Sequence, residues 1–316
     1  MFTKFYLSLN CNRLEEFYHL ILMILSDTTI TQLKKINKAL SIKEIMEVYL
    51  PLSYLIHFYI NSNEKSQDII QKPFNSPKQK IPYIISITGG VSSGKSTIAR
   101  ILQILLNHYL KYRYVELIST DGFLYPNSAL RDRGLIKKKG FPLSYDIYHL
   151  IKFVSDIKSG FSPVIAPLYS HLVSDVIPIK KKIVQKPDVL ILEGLNVLQS
   201  GINYPYFDNT ICTSNFIDFS IYIDASHDLL QSWYLNRFLG FRKSALTNQK
   251  SYFYYYSQLS RKEAMRIANT IWYQVNYRNL IENILPMRDN STLIITKSLN
   301  HLIKSYQIKN NYYNLK

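Results

Sequence analysis

Two cysteines in 316 residues, Cys11 and Cys212, are too few for a disulfide framework and lack metal-ligand spacing. A secreted, bridge-stapled scaffold is therefore excluded, and a reducing cytoplasm is the expected setting. Long apolar runs are also missing. The most apolar terminal stretch, residues 17–25, falls far short of the roughly 20 residues a bilayer span needs. It follows Glu15 and Glu16, and no small-residue cleavage site comes after it, so neither a membrane span nor a signal peptide is expected. Acidic residues are scarce, 22 against 38 Lys and Arg, which leaves a formal net charge of +16. Such a surplus suits nucleic acid or anionic membrane when it is concentrated. Here no arginine-rich stripe concentrates it; Lys, Asn, Ile and Tyr are raised along the whole chain. The short clusters at 137–139 and 180–182 read as solvated loops or phosphate attractors, so neither nucleic acid nor membrane is expected as a partner. With 47% hydrophobic and 19% charged residues the chain is a globular protein able to build a sizeable core.

The stretch that organises the rest is Gly89-Gly90-Val91-Ser92-Ser93-Gly94-Lys95-Ser96, followed by Thr97, which fits the pattern G-x-x-x-x-G-K-[ST]. A fortuitous glycine turn ahead of a helix would satisfy the bare octamer. The flanks argue for more: residues 83–88 are β-branched and aromatic like a buried strand, and residues 97–106 carry helical spacing. In that context the glycines let the backbone fold back so that successive N–H groups and a helix N-terminus converge on an anion. Lys95 would reach the terminal phosphates of a nucleotide, and the Ser96 hydroxyl would hold Mg²⁺.

Further strands are expected at 114–120, 189–192, 216–223 and 293–296, separated by helical segments that include 146–158 and most of 228–285. A helical preamble over 12–59, with a capping box at Ser41 and Glu44, leads through a polar connector, 61–80, into the first strand. Residues 163–187 read as a proline-bearing loop, and a second capping box is expected at Ser260 and Glu263. This alternation implies an α/β fold of the P-loop NTPase type: a mostly parallel sheet, helices on both faces, and added helical segments at the N-terminus and after the fourth strand. The whole chain is expected to be a single elaborated P-loop domain, 1–80 the preamble and connector, 81–316 the ligand-binding core.

In such sheets ligands gather beyond the carboxyl ends of the strands. The P-loop, Asp121 after the second strand and Glu193 after the third all fall there. Phosphoryl transfer also needs a metal ligand, a base for the acceptor hydroxyl and a cation for charge on the transferred group. Asp121 and Glu193 are the candidate acids, their roles interchangeable on this reading, and Arg237 on the helix after strand four is the candidate cation. Each has a plainer alternative: turn or cap carboxylates for the acids, a surface arginine with a packed stem for Arg237. The aromatic run 252–256 reads as packing before it reads as a substrate wall.

Five blocks together carry a resemblance. They are residues 119–124 (Ser-Thr-Asp-Gly-Phe-Leu), 133–142 (Arg-Gly-Leu-Ile-Lys-Lys-Lys-Gly-Phe-Pro), 169–172 (Tyr-Ser-His-Leu), 192–199 (Leu-Glu-Gly-Leu-Asn-Val-Leu-Gln) and 233–238 (Trp-Tyr-Leu-Asn-Arg-Phe). In these the chain resembles bacterial type I pantothenate kinase, over about residues 30–301. The resemblance implies transfer of the γ-phosphate of ATP, with Mg²⁺, to the primary hydroxyl of pantothenate, the committing step toward coenzyme A. It implies Asp121 as the base, Arg237 as the stabiliser of the transferring group and Glu193 beside the metal. It places pantothenate contacts on Tyr169, His171, Tyr234 and Asn276, and adenine contacts on Asn37, Lys297 and His301. It further implies a homodimer and feedback inhibition by coenzyme A, competitive with ATP, through Lys95, Arg100 and His171. One position departs from the family pattern Tyr-Ser-His-x-x-Tyr-Asp: Ser174 replaces the second tyrosine, which removes an aromatic wall near the inhibitor's pantetheine arm. The nearest rival is another small-molecule kinase of this scaffold, a uridine kinase or phosphoribulokinase relative; a P-loop nucleic-acid-binding protein is the rival from another class.

Overall fold

Strand β2 (Tyr83–Gly89) is buried along its whole length and is flanked on both sides by parallel partners, β6 (Val189–Glu193) and β7 (Phe219–Asp224). Burial on two faces explains the unbroken β-branched sequence: Ile85 and Ile87 enter one apolar layer and Ile84 the other. The computed structural model describes residues 6–10, 26–37, 40–74, 81–109, 114–199 and 211–309. The main sheet adds β3 (Val115–Ser119), β8 (Leu293–Lys297), β9 (Ile303–Lys309) and β1 (Tyr6–Asn10), in the order β1-β9-β8-β7-β2-β6-β3. Strands β8, β7, β2, β6 and β3 run parallel; β9 and β1 turn antiparallel at one edge.

On one face lie α1 (Asp27–Ile36), the short turn α2 (Ile42–Glu44), α3 (Leu50–Gln71) and α4 (Lys95–Tyr109), whose Leu33, Ile56 and Leu102 pack against Ile191, Ile221 and Leu293. The short α5 (Asn127–Asp132) and α6 (Ile147–Lys158) follow β3, and the stripe of Leu150, Phe153 and Val154 on α6 packs against Leu190 and Leu192 on the opposite face. That face continues under α7 (His227–Ser244), where Leu230 and Trp233 meet Tyr222 and Ile294. Two short helices, α8 (Tyr254–Ser257) and α9 (Arg261–Ile271), lie beyond it, and the chain then passes into two stretches of π-helix, Trp272–Tyr277 and Leu280–Ile284. The helices on both faces and the added segment after β7 are as the sequence predicts, and α9 opens with the expected reciprocal box between Ser260 and Glu263.

Three expectations are corrected. Residues 163–187 are not a loop but a separate antiparallel pair, β4 (Val164–Ser170) and β5 (Asp175–Val184), with an irregularity between Pro167 and Leu168. Prolines disqualify a central strand, not a two-stranded ribbon with open edges. The polar connector begins later than expected, because α3 runs on to Gln71. Its outer face is held by bonds one turn apart, Gln67 Nε2 to Asn63 Oδ1 at 2.7 Å and Asn61 Nδ2 to His57 Nε2 at 2.8 Å. Strands β9 and β1 were not anticipated: their pairing is antiparallel and sits outside the alternation that reveals the rest. The expected helix over 12–25, the apolar run at 17–25 and Cys11 lie outside the described residues.

Candidate active site

The phosphate nest and the two candidate acids lie at the carboxyl ends of β2, β3 and β6, and α7 follows β7. After β2, Ser92 (φ +62°) and Gly94 (φ +92°) bend the loop into a concave nest, and α4 starts at Lys95 itself. The hydroxyl oxygens of Ser92 and Ser93 are buried without a hydrogen-bond partner in this nest, donors suited to an anion. Lys95 is buried, and its Nζ donates to the Gly90 carbonyl at 2.8 Å.

Asp121 sits in a single 3-10 turn after β3 that begins with Ser119, whose hydroxyl accepts from the Asp121 N–H at 3.3 Å. Two glycines bring its neighbours close. A Cβ on Gly122 would stand 2.3 Å from the Pro167 carbonyl oxygen, so the β4–β5 ribbon presses directly on the Asp121 turn. A Cβ on Gly194 would fall 1.7 Å from Thr120 Oγ1, so the ends of β3 and β6 converge only because residue 194 has no side chain. Glu193 is thereby held at the end of β6, buried, beside the P-loop.

The electrostatics tie these groups together. Burial pushes the Lys95 ammonium down and the Glu193 carboxyl up, and each is partly restored by the other's charge, with Asp121 and Arg237 also in reach. The Ser96 side chain hydrogen-bonds Glu193. A hydroxyl and a carboxylate side by side at the first helical turn form a hard-oxygen donor pair of the kind Mg²⁺ takes alongside substrate phosphates. Among the described residues no group of three or more His, Cys, Asp or Glu could hold a metal. Arg237 projects from α7 over the Phe241 ring at 5.1 Å.

Two joined cavities open over Asp121. The first runs from Lys95, Ser96 and Glu193 past His171 and Arg237 to Phe238, Phe241 and Phe253. The second is lined by Tyr169, Lys139, Asn276 and Arg278; Asp121, Ser174, Tyr234 and Tyr252 border both. The residues expected to bind acceptor thus come together from the ribbon, α7 and the π-helix: the Tyr169 and His171 rings meet edge to face at 5.3 Å, and the Asn276 side chain bonds the Tyr234 hydroxyl. Burial raises that hydroxyl, and that of Tyr169, to about 12, which keeps both as neutral donors. His171 is pushed down by burial and feels the charges of Asp121, Arg237 and Arg100. Arg100, exposed one turn beyond Ser96 on α4, lines neither cavity, and only its charge reaches His171.

The expected base-binding residues lie toward the other edge. Lys297, at the end of β8, donates to the Ser93 carbonyl at 3.1 Å and is pushed by burial to about 8, with Glu44 opposing that shift. His301, at φ +62°, stacks on Trp233 with ring centres 3.9 Å apart. Asn37 caps the C-terminus of α1 and is exposed. The preamble does reach the last strands, since the Tyr306 hydroxyl donates to the Val48 carbonyl at 3.2 Å.

Sequence reasoning missed three participants. Lys139, read as part of a solvated cluster, is half-buried in the second cavity, where Nζ donates to Asn127 Oδ1 at 2.7 Å and to the Ser174 carbonyl at 2.5 Å. Tyr252 and Phe253, read as packing, line the cleft while Phe253 also packs on Phe238 at 5.4 Å. Ser174 removes a ring but adds a partner: its hydroxyl lies 3.0 Å from that of Tyr169.

A nucleotide-phosphate nest, a buried lysine and two carboxylates beyond the ends of parallel strands define a P-loop kinase. Solved structures of that fold match the chain: D-glycerate 3-kinase from Cryptococcus neoformans (TM-score 0.51, 12% identity, 80% of this chain and 97% of that one) and a putative fructose transport system kinase from Silicibacter sp. (TM-score 0.50, 20% identity, 68% and 89%). The model of the phosphoribulokinase/uridine kinase family matches residues 84–248. Within that class the chain belongs to the pantothenate kinase family. It is 54% identical over 309 residues to a pantothenate kinase of Erwinia tasmaniensis, covering 98% of each chain, and 54% identical over 287 residues to one of Klebsiella pneumoniae, covering 91% of each. It is a phosphotransferase.

Proposed function

We propose that the chain transfers the γ-phosphate of ATP to the primary hydroxyl of pantothenate, giving 4'-phosphopantothenate. The observation that carries this reading is the position of Asp121, which borders both cavities and shares the electrostatic field of Lys95 and Glu193. In this reading the nest at 89–97 and Lys95 bind the β- and γ-phosphates, and Asn37, Lys297 and His301 form the adenine end. Tyr169, His171, Tyr234 and Asn276 orient pantothenate, with Lys139 below them. Asp121 accepts the proton of the attacking hydroxyl. The guanidinium of Arg237 takes up charge that grows on the transferring group, and holding both reactants in line contributes the entropic part of the acceleration. Mg²⁺, held by Ser96 with Glu193 beside it, would neutralise phosphate charge when bound.

Feedback by coenzyme A belongs to the same proposal. Lys95 and His171 lie along one cleft with the aromatic wall of Phe238, Phe241 and Phe253, and the charge of Arg100 acts on His171, so an inhibitor reaching from the phosphate nest into that wall would exclude ATP and acceptor together. A homodimer in a reducing cytoplasm completes the reading, and light scattering of the purified chain at twice the monomer mass checks the first part. The test of function is ADP release with ATP, Mg²⁺ and pantothenate, repeated with coenzyme A: turnover that falls with coenzyme A and recovers with excess ATP is expected. Turnover without any response to coenzyme A removes the regulatory half, and no turnover removes the whole.

A further inference from the structure

The wall of the acceptor cavity is stitched together at one backbone carbonyl. Gly140, at φ +93°, ends the basic loop that carries Lys139. Its oxygen accepts from Asn196 Nδ2 at 2.9 Å and from Asn279 Nδ2 at 2.8 Å. Both amides are buried, at 4% and 2% exposure, and neither lines a cavity wall described above. Each belongs to a different element. Asn196 follows Glu193-Gly194-Leu195, a segment tied to β2 by the Thr88 hydroxyl, which donates to the Leu195 carbonyl at 2.9 Å. Asn279 stands one turn beyond Asn276. Their remaining amide groups are engaged as well, Asn196 Oδ1 by Gln199 Nε2 at 3.2 Å and Asn279 Oδ1 by Asn283 Nδ2 at 2.9 Å. On the loop itself, the Gly140 N–H donates to the Ser144 hydroxyl at 2.9 Å.

We propose that Asn196 and Asn279 are positioning residues for the acceptor: by sharing the Gly140 carbonyl they fix the register of Lys139, Leu195 and Asn276 around the second cavity. This rests on the reading of that cavity as the pantothenate site. The physical reason is that a partly buried carbonyl tolerates the loss of one of two donors better than the loss of both. The bonds that hold the nucleotide nest are others: Lys95 donates to the Gly90 carbonyl, Lys297 to the Ser93 carbonyl, and Ser96 bonds Glu193.

The test compares Asn196→Ala, Asn279→Ala and the double variant by steady-state kinetics with each substrate varied. Each single variant is expected to raise KM for pantothenate roughly threefold, and the double variant to raise it more than the product of the two, on the order of thirtyfold, because the carbonyl then has no donor. KM for ATP, and ATP hydrolysis without acceptor, stay within about twofold; a role in general stability alone would not separate the substrates in this way. Parallel rises in both KM values, or an unchanged pantothenate KM in the folded single variants, overturn the proposal. The singles decide it even where the double variant does not fold. Failure of the wild type to phosphorylate pantothenate would instead overturn the assignment of the cavity, a separate outcome.

Discussion

The nucleotide half and the acceptor half of the cleft are built by different means. In the first, the phosphate nest is one contiguous stretch of chain, 89–97, shaped by backbone conformation, and only the expected adenine residues Asn37, Lys297 and His301 come from elsewhere. The second is assembled from side chains of a ribbon, a basic loop, α7 and a π-helix, spread over more than a hundred residues of sequence. The contrast teaches that grip on a triphosphate is generic to the fold, whereas choice of alcohol resides in residues the fold merely brings together. Fold neighbours at 12–20% identity share the scaffold, while the relatives at 54% share nearly the full length.

The largest effect should come where the halves meet. Asp121→Asn keeps shape and removes the proposed base; kcat is expected to fall roughly 10²–10⁴-fold while ATP affinity, measured by nucleotide titration, changes little. Arg237→Ala should cost roughly 10²–10³-fold in kcat, again with ATP binding retained, since its interaction strengthens as charge develops. Loss of ATP affinity with kcat intact in either variant would break the division between the halves.

Next comes the ribbon's anchor. Lys182 of β5 pairs with Glu116 of β3, a carboxylate only 6% exposed, and also donates to the Leu117 carbonyl at 3.1 Å. Lys182→Met leaves that carboxylate without its cation and should lower unfolding free energy by roughly 3 kcal/mol in denaturant melts. Tyr234→Phe removes only a hydroxyl from the acceptor wall. It should raise KM for pantothenate by about fivefold, the order expected for one neutral hydrogen bond, with KM for ATP unchanged.

The smallest effect is a pH dependence on the nucleotide side. Burial, aided by the charge of Lys297, pushes the His301 imidazole from 6.5 down to about 4. Between those values the unfolded chain binds more protons than the folded one, so this contribution to stability is intact above pH 6.5 and is lost as pH falls toward 4. His301→Phe should therefore flatten the acid side of the melting-temperature profile; an unaltered profile would contradict the assignment.

The same contrast explains what could be read in advance. The P-loop, the five parallel strands and the two acids at strand ends were legible because each is a local pattern: a fixed octamer, a β-branched run, an acid at its end. The β4–β5 ribbon was not, because its prolines mimic a loop and its partner is only itself. Lys139 hid within a basic cluster whose first two members, Lys137 and Lys138, are indeed exposed. Tyr252 and Phe253 hid because an aromatic run that packs and one that lines a cleft have the same sequence; here a single run does both. The residues proposed for the acceptor, Tyr169, His171, Tyr234 and Asn276, came from family resemblance and not from periodicity.

The most direct test offers the purified chain ATP, Mg²⁺ and an equimolar mixture of pantothenate and uridine, and identifies the phosphorylated product by mass spectrometry. Phosphopantothenate alone is the predicted result. Phosphorylated uridine without phosphopantothenate would show that the acceptor half was misread while the nucleotide half stands.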